Sequence, residues 1–344
     1  MEVLNANVRV EIVEKSQVAE ARRIASERAR RLGFSEVQVA ELAIVVTEAA
    51  TNMLKHSGGG ELLLGPASTG NSNLDGLGII AVDTGPGMAN VTECFRDGFS
   101  TRGSPGTGLG AIVRLSSWVD IFAPSPTGTV LAAALCPLGT GFQSTHLETG
   151  GICLPKSGES DCGDAWSFHS SADSYTLFIV DGLGHGPGAA AAAQAALGAF
   201  AENAEAAPAA ILQAVHAALR STRGAAAAVA RLIFAQRVAH YAGIGNIAGV
   251  ICPDHDGAGP SRQMVSMNGI LGHQAASFRE FSYPWPERSV LVMHSDGLGS
   301  KWDLMRYPGL IRRPPVVIAA VLYRDYQRKR DDVTVVAARE RAGL

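Results

Sequence analysis

EVQVAELAIVVTEAATNMLK, residues 36–55, has apolar residues recurring at helical spacing. Val39, Leu42, Ala43, Val46 and Ala50 fall on one side and predict an amphipathic helix over Glu36–Leu54. Glu48, Asn52 and Lys55 stand four and three residues apart, so they share another face. Taken alone, such a patch is an ordinary exposed helix face. Upstream, Val18–Leu32 shows a similar alternation, so two helices are expected to open the chain.

Working outward, the short apolar runs Glu61–Gly65 and Leu77–Val82 predict strands, and the second ends in Asp83 of DTGPGM. A carboxylate where a buried strand meets a loop can accept a hydrogen bond from an exocyclic amine, and Gly85 and Gly87 allow a tight turn beside it. GSPGTGLG, residues 103–110, leads into a helix and would aim backbone amides at phosphate oxygens. VRLSSWV (113–119) is expected as a helix and TVLAAAL (129–135) as the last strand of this half. PLGTGFQST (137–145) lacks periodicity, which places a domain junction there.

In the second half, SYTLFIV (174–180), RLIFAQ (231–236), HYAGI (240–244) and SVLVMH (289–294) are the clearest strands. Helices are expected after Gly188 and over Pro208–Leu219. Asp164, Asp181, Asp296 and the pair Asp331–Asp332 each sit at the rim of an apolar run, and DGLG occurs after two of them. Carboxylates converging at strand ends raise one another's pKa unless a divalent cation neutralises them. An all-oxygen set with a glycine carbonyl suits magnesium or manganese rather than zinc. His185 is read as a helix-capping or site-adjacent residue, His294 as a core or supporting residue, and Asn246 as closing a turn. No arginine suggests itself for binding substrate phosphate.

Together EAATN, DTGPGM and GSPGTGLG resemble the N, G1 and G2 boxes of the gyrase, Hsp90, histidine-kinase and MutL (GHKL) ATPase superfamily over about residues 10–136. By that resemblance Glu48 is the general base, Asn52 holds Mg2+, and Asp83 recognises adenine. Lys55, Gly85, Gly87, Gly106, Thr107, Gly108, Leu109 and Gly110 complete the ATP site. EAATNMLKHSGG and DGFSTRGSPGTGLGAIVRL look most like the anti-sigma and stressosome switch-type serine kinases. GDAW, VDGLGHG, YAGIGN, GILG, HSDGL and RDDVTVV resemble the SpoIIE and stressosome-phosphatase branch of the PP2C phosphatases over about residues 147–340. That likeness implies two Mn2+ or Mg2+ ions on Asp164, Asp181, the Gly182 carbonyl, Asp296 and Asp331, with Asp332 as the alternative to Asp331.

The fold class expected is α/β (α+β) in two domains. A GHKL (Bergerat) α/β sandwich over residues 1–138 is followed by a linker at 139–146 and a PP2C-like α-β-β-α sandwich over 147–344. The function expected is a serine/threonine kinase and phosphatase acting on a STAS-domain phosphoprotein. Its alternative is an ATP-binding module that sequesters a partner, such as a sigma factor or downstream signalling enzyme, fused to a catalytic phosphatase.

Composition agrees with a cytoplasmic enzyme. The 344 residues suffice for two cores, and a net charge of −3 offers no footprint for nucleic acid or an anionic membrane. The most apolar stretch, Gly188–Ala201, is too short to span a bilayer, and the N-terminus lacks a secretory pattern. Five cysteines without a CxxC pair predict reduced thiols rather than a disulfide framework or a zinc site.

Overall fold

The computed structural model describes residues 6–67, 76–88, 108–137, 147–254, 259–275 and 277–341. They belong to two compact units, Asn7–Gln143 and Ser144–Leu344, with Ala6 falling in the second.

In the first unit β1 (Val8–Ile12), β2 (Gly60–Ala67), β3 (Gly76–Asp83), β4 (Trp118–Phe122) and β5 (Thr129–Leu135) form an antiparallel sheet in the order β1-β2-β3-β5-β4. Helices α1 (Lys15–Arg31), α2 (Glu36–Ser57) and α3 (Gly108–Leu115) accompany it. α2 starts where Ser35 and Gln38 close a capping box, and it stops at Gly58, whose φ of +74° needs glycine. Val39, Leu42, Val46 and Ala50 of α2 pack into one core with Ile12, Leu62, Leu64 and Ile79 of the sheet. Among the described residues α2 alone is long and apolar enough to cross a membrane, and its apolar face is the one turned to this core.

Two local expectations are corrected here. A strand, β1, precedes the two helices, and its existence depends on pairing with β2 (Val8 opposite Leu64), a contact no local pattern announces. The run VRLSSWV is not one helix: α3 ends at Leu115 and β4 begins at Trp118. Ser117 interrupts it, its amide bonding the Ala134 carbonyl and its hydroxyl accepting from the Cys136 amide.

The second unit is an α-β-β-α sandwich, as expected. One antiparallel sheet has the order β13-β10-β9-β8-β7, from β7 (Asp164–Ser170), β8 (Ser174–Gly182), β9 (Ala225–Ile233), β10 (Val238–Ile244) and β13 (Phe281–Pro284). The other runs β12-β11-β14-β15-β6, from β6 (Leu147–Leu154), β11 (Ala248–Pro253), β12 (Arg262–Met264), β14 (Ser289–His294) and β15 (Val333–Glu340). β9 shows how the layers are made. Ala226, Ala228, Ala230 and Leu232 face the second sheet, with Leu177, Tyr241, Leu291 and Val336. Ala225, Ala227 and Val229 face α4 (Pro187–Asn203) and α5 (Pro208–Ala218). α6 (Pro315–Tyr326) covers β6 and β15 from the far side.

β9 begins at Ala225 rather than Arg231. Alanine has high helix propensity, and only burial on both faces makes this run a central strand. α6 drew no expectation because it is buried on nearly every side, from Pro315 through Arg324, and so lacks the one-sided pattern that marks a surface helix. The described cysteines, Cys136, Cys153, Cys162 and Cys252, are free thiols.

Candidate active sites of the two units

In the first unit Glu48 and Asn52 lie half-buried on α2, and the start of α3 is pressed against them. A Cβ placed on Gly108 would lie 2.6 Å from Glu48 Oε2 and 3.7 Å from Asn52 Oδ1. A side chain there would displace the Glu48 carboxylate from this position. Asp83 ends β3 as a buried carboxylate whose Oδ1 accepts from the Gly85 amide at 2.8 Å and the Thr129 amide at 3.3 Å. Among the described residues no donor reaches Oδ2, which leaves an acceptor for an exocyclic amine.

Thr129, the register partner of Asp83 on β5, was not singled out in the sequence. Register is a property of strand pairing, and no local signal marks it. Gly85 and Gly87 fit where side chains cannot: a Cβ on Gly85 would meet Ser57 Oγ at 2.5 Å, and one on Gly87, with φ of +70°, the Pro124 and Ala123 carbonyls at 2.9 and 3.0 Å. Lys55 is exposed, Gly110 is buried, and Leu109 packs its side chain against the core, leaving only its backbone for a ligand. Gly106 and Thr107 lie outside the described residues.

In the second unit Asp164 on β7 stands directly opposite Asp181 on β8. Opposed residues of an antiparallel pair share a face. By strand alternation this is the face of Trp166 and Ile179, turned toward the second sheet. From that sheet Ser295, just past β14, donates to Asp164 Oδ2 at 2.6 Å and accepts from the Thr334 amide at 3.0 Å, tying the sheets together. Asp296 follows it, and Asp331 and Asp332 precede β15.

These acids act on one another. Burial, then Asp181, pushes the Asp164 carboxyl well above the usual carboxylate range. Burial, then Asp296, Asp331 and Asp332, pushes Asp181 up to about 8. Among the described residues no three His, Cys, Asp or Glu side chains are drawn into one tight ligand cluster. The carboxylates instead meet as mutually repelling charges, and this oxygen-only set fits a hard divalent cation.

Asp331 and Asp332 are distinguished by their partners. Both oxygens of Asp332 are occupied, Oδ1 by the Lys156 amide and Oδ2 by the Gly163 amide, each at 2.7 Å. Among the described residues Asp331 accepts only from the neighbouring Asp332 amide, at 3.0 Å. Gly182 donates its amide to the Gly163 carbonyl, and a Cβ on it would fall 2.4 Å from the Ala189 carbonyl oxygen. The loop after Asp181 therefore lies flush on the first turn of α4.

Three polar residues find definite roles. Asn246 sits in the turn between β10 and β11, as read from the sequence, and also donates to Asp296 Oδ2 at 2.7 Å. His294 is a satisfied core residue: it bonds the Ser295 carbonyl through Nδ1 and accepts from the Trp302 indole through Nε2. Burial lowers its pKa, in keeping with a neutral ring. His185 does not cap α4, whose N-cap Gly186 has no side-chain cap; it pairs with Glu159 at 2.9 Å.

The raised Asp181 pKa sets a pH dependence. Its folded value of about 8 exceeds the ordinary 3.8, so the metal-free fold gains stability below pH ~4 and loses it as pH rises through ~8. A cation must displace that proton. Mn2+ affinity measured by calorimetry is expected to rise about tenfold per pH unit between pH 6 and 7.5, with at least one proton released. Constant affinity over that window would mean that Asp181 is already ionised before the cation binds.

The two units thus define a protein with a nucleotide-binding α/β sandwich and a carboxylate-lined β-sandwich of the metal-dependent phosphatase type. Residues 13–135 match the histidine kinase-like ATPase domain family, and residues 171–341 match the stage II sporulation protein E (SpoIIE) family. The serine/threonine-protein kinase RsbT of Bacillus subtilis is 32% identical over 124 residues, 36% of this chain and 92% of that protein. The phosphoserine phosphatase RsbX of Bacillus subtilis is 30% identical over 159 residues, 45% of this chain and 77% of that protein. A chain solved in work on the bacterial stressosome, described as a modular system adapted to control secondary messenger signaling, aligns with a TM-score of 0.53 at 30% identity. It covers 57% of this chain and 100% of its own. RsbX solved with magnesium gives a TM-score of 0.51 at 24% identity, covering 58% and 98%, a likeness of fold. The chain belongs to the RsbT-like kinase family in its first domain and to the SpoIIE family of PP2C-type serine/threonine phosphatases in its second.

Proposed function

We propose that this chain sets the phosphorylation state of a STAS-domain partner in the cytoplasm, its first domain (residues 1–138) adding phosphate to serine or threonine and its second (147–344) removing it. The observation that carries the reading is the presence in one chain of two separate sites, each built from the residue types its reaction requires. Glu48 would act as base, Asn52 would hold Mg2+, and Asp83 would take the adenine amine through Oδ2; phosphoryl transfer asks mainly for positioning and charge neutralisation. Lys55 and the backbone from Gly106 to Gly110 would line the phosphates.

In the second domain Asp164, Asp181, the Gly182 carbonyl, Asp296 and Asp331 would hold two Mn2+ or Mg2+ ions, which supply an acidified water for attack on phosphorus. Asp332 would anchor the loops instead. Ser295 and Asn246 would orient Asp164 and Asp296. RsbT and RsbX are named as a kinase and a phosphoserine phosphatase, which supports opposed activities here. Fusion would raise the concentration of each near a shared substrate.

The test is a steady state. With ATP and a STAS protein that the kinase modifies, wild type is expected to hold phosphoprotein low while consuming ATP, and Asp181→Ala to let phosphoprotein accumulate. Equal levels in both would mean the phosphatase serves another protein. ATP binding with no phosphoprotein formed would favour a sequestering module in place of the kinase.

A further inference from the structure

Two thiols beside the acidic strand ends take no part in the chemistry above. The segment CLPKSGESDCG, residues 153–163, leads from the end of β6 to the start of β7. Cys153 is buried between the sheets and Cys162 is half-buried, with their Sγ atoms 3.6 Å apart. Cys153 donates its thiol proton to the Asp164 carbonyl at 3.4 Å, so in the contact between the sulfurs Cys162 is the donor. Nothing fits between sulfurs at this distance.

The loop that the pair brackets is held by the site itself. Asp332 accepts from the Lys156 amide at one end and from the Gly163 amide at the other, each at 2.7 Å. The Gly163 carbonyl accepts in turn from the Gly182 amide at 2.9 Å, just after Asp181. This backbone has no slack: a Cβ on Gly163 would lie 2.6 Å from Ala189 Cβ and 2.7 Å from Asp332 Oδ2. The sulfurs of a disulfide are about 2.0 Å apart, so closing this pair would draw them together by roughly 1.5 Å. That displacement would fall on Gly163 and on the Asp164 backbone, whose carbonyl also loses its thiol donor.

We propose that Cys153 and Cys162 are a modification site, oxidised by a hydroperoxide to a reversible disulfide that pulls the Gly163–Asp164 backbone away from Asp181 and Asp332. Cys162, the more exposed, attacks the peroxide as thiolate; the O–O bond breaks, and a sulfenic acid forms with release of water or an alcohol. Cys153 then attacks that sulfur, the S–S bond forms, and the sulfenic oxygen leaves as water. The two thiols give up two electrons in all, and a dithiol reductant returns them. The hydrogen bond to Cys153, burial and the neighbouring acids push the Cys162 thiol well above its usual range, so the first step is slow and the pair answers sustained oxidant rather than a brief pulse. The disulfide stands on the geometry alone; its effect on catalysis rests on the phosphatase reading.

In the experiment the full chain is exposed to hydrogen peroxide, digested with trypsin without reduction and mapped by mass spectrometry. Lys156 lies between the two cysteines, so their peptides are expected to stay joined only through the disulfide and to separate with dithiothreitol. The oxidised chain should bind Mn2+ about tenfold or more weakly by calorimetry and hydrolyse phosphopeptide correspondingly slower, since misplacement by about 1 Å at a site costs this much or more. ATP affinity in the first domain should not change. Before peroxide, Cys162→Ser is expected to keep Mn2+ affinity and turnover within about twofold of wild type, and after it to show no response. Cys153→Ala should behave alike, and the half-buried Cys162 keeps the test open if the buried substitution does not fold. Separate peptides after prolonged peroxide, or a Cys153–Cys162 link that leaves Mn2+ affinity unchanged, overturns the proposal. Absence of phosphopeptide turnover in the untreated wild type counts against the phosphatase reading alone, because the peptide link and the Mn2+ affinity are read without it.

Discussion

Replacing Asp181 by alanine is expected to lower Mn2+-supported hydrolysis of a phosphoserine protein by at least about 100-fold, with EDTA producing the same loss in the wild type. Asp181 lies opposite Asp164 across the β7–β8 pair and is coupled to Asp296, Asp331 and Asp332, so every acid in the cluster interacts with the charge it carries. Its removal would leave a cation under-coordinated and a bound water less acidic. Asn246→Ala is expected to cost about 10-fold, since it frees Asp296 without removing a ligand. The adjacent acids Asp331 and Asp332 separate the two kinds of role. Asp331→Ala should lose activity and keep the fold. Asp332→Ala orphans the Lys156 and Gly163 amides and should lower unfolding free energy by about 2 kcal/mol or more, read from urea denaturation of the metal-free protein. Full activity in both Asp181→Ala and Asp296→Ala would reduce these acids to ordinary loop residues.

The second large effect is expected in the other domain. Asn52→Ala and Glu48→Gln should each abolish phosphotransfer to the STAS protein, a loss of about 100-fold or more, while phosphopeptide hydrolysis stays within about twofold of wild type. The two residues share the face of α2 on which the start of α3 closes, and a Cβ on Gly108 would lie 2.6 Å from the Glu48 carboxylate. Asp83→Ala should remove the preference for ATP over GTP, because the carboxylate is held by the Gly85 and Thr129 amides with Oδ2 left for the base. Normal phosphotransfer by both α2 variants would end the kinase assignment. Equal affinity of the wild type for ATP and GTP would end the role of Asp83.

Local sequence marked out the two families, the long helix α2 and the acidic strand ends, because those signals are local. Helical periodicity, Asp-Gly turns and glycine-rich loops are read over a few residues, and the backbone obeys them wherever they fall. Local patterns misjudged elements whose state depends on distant partners: β1, which exists by pairing with β2; the alanine strand β9, which is extended only because both faces are buried; and α6, buried on nearly every side.

The same division runs through the sites. Sequence placed Asp164, Asp181, Asp296 and Asp331 at strand ends. The sandwich then opposed the first two in register, set Ser295 and Asn246 to hold Asp164 and Asp296, and assigned Asp332 to two backbone amides. Which residues are chemically able to act is written in their types and spacing. Which of two neighbouring acids is taken up by backbone amides depends on strand register and layer packing, and these are decided when the whole core closes.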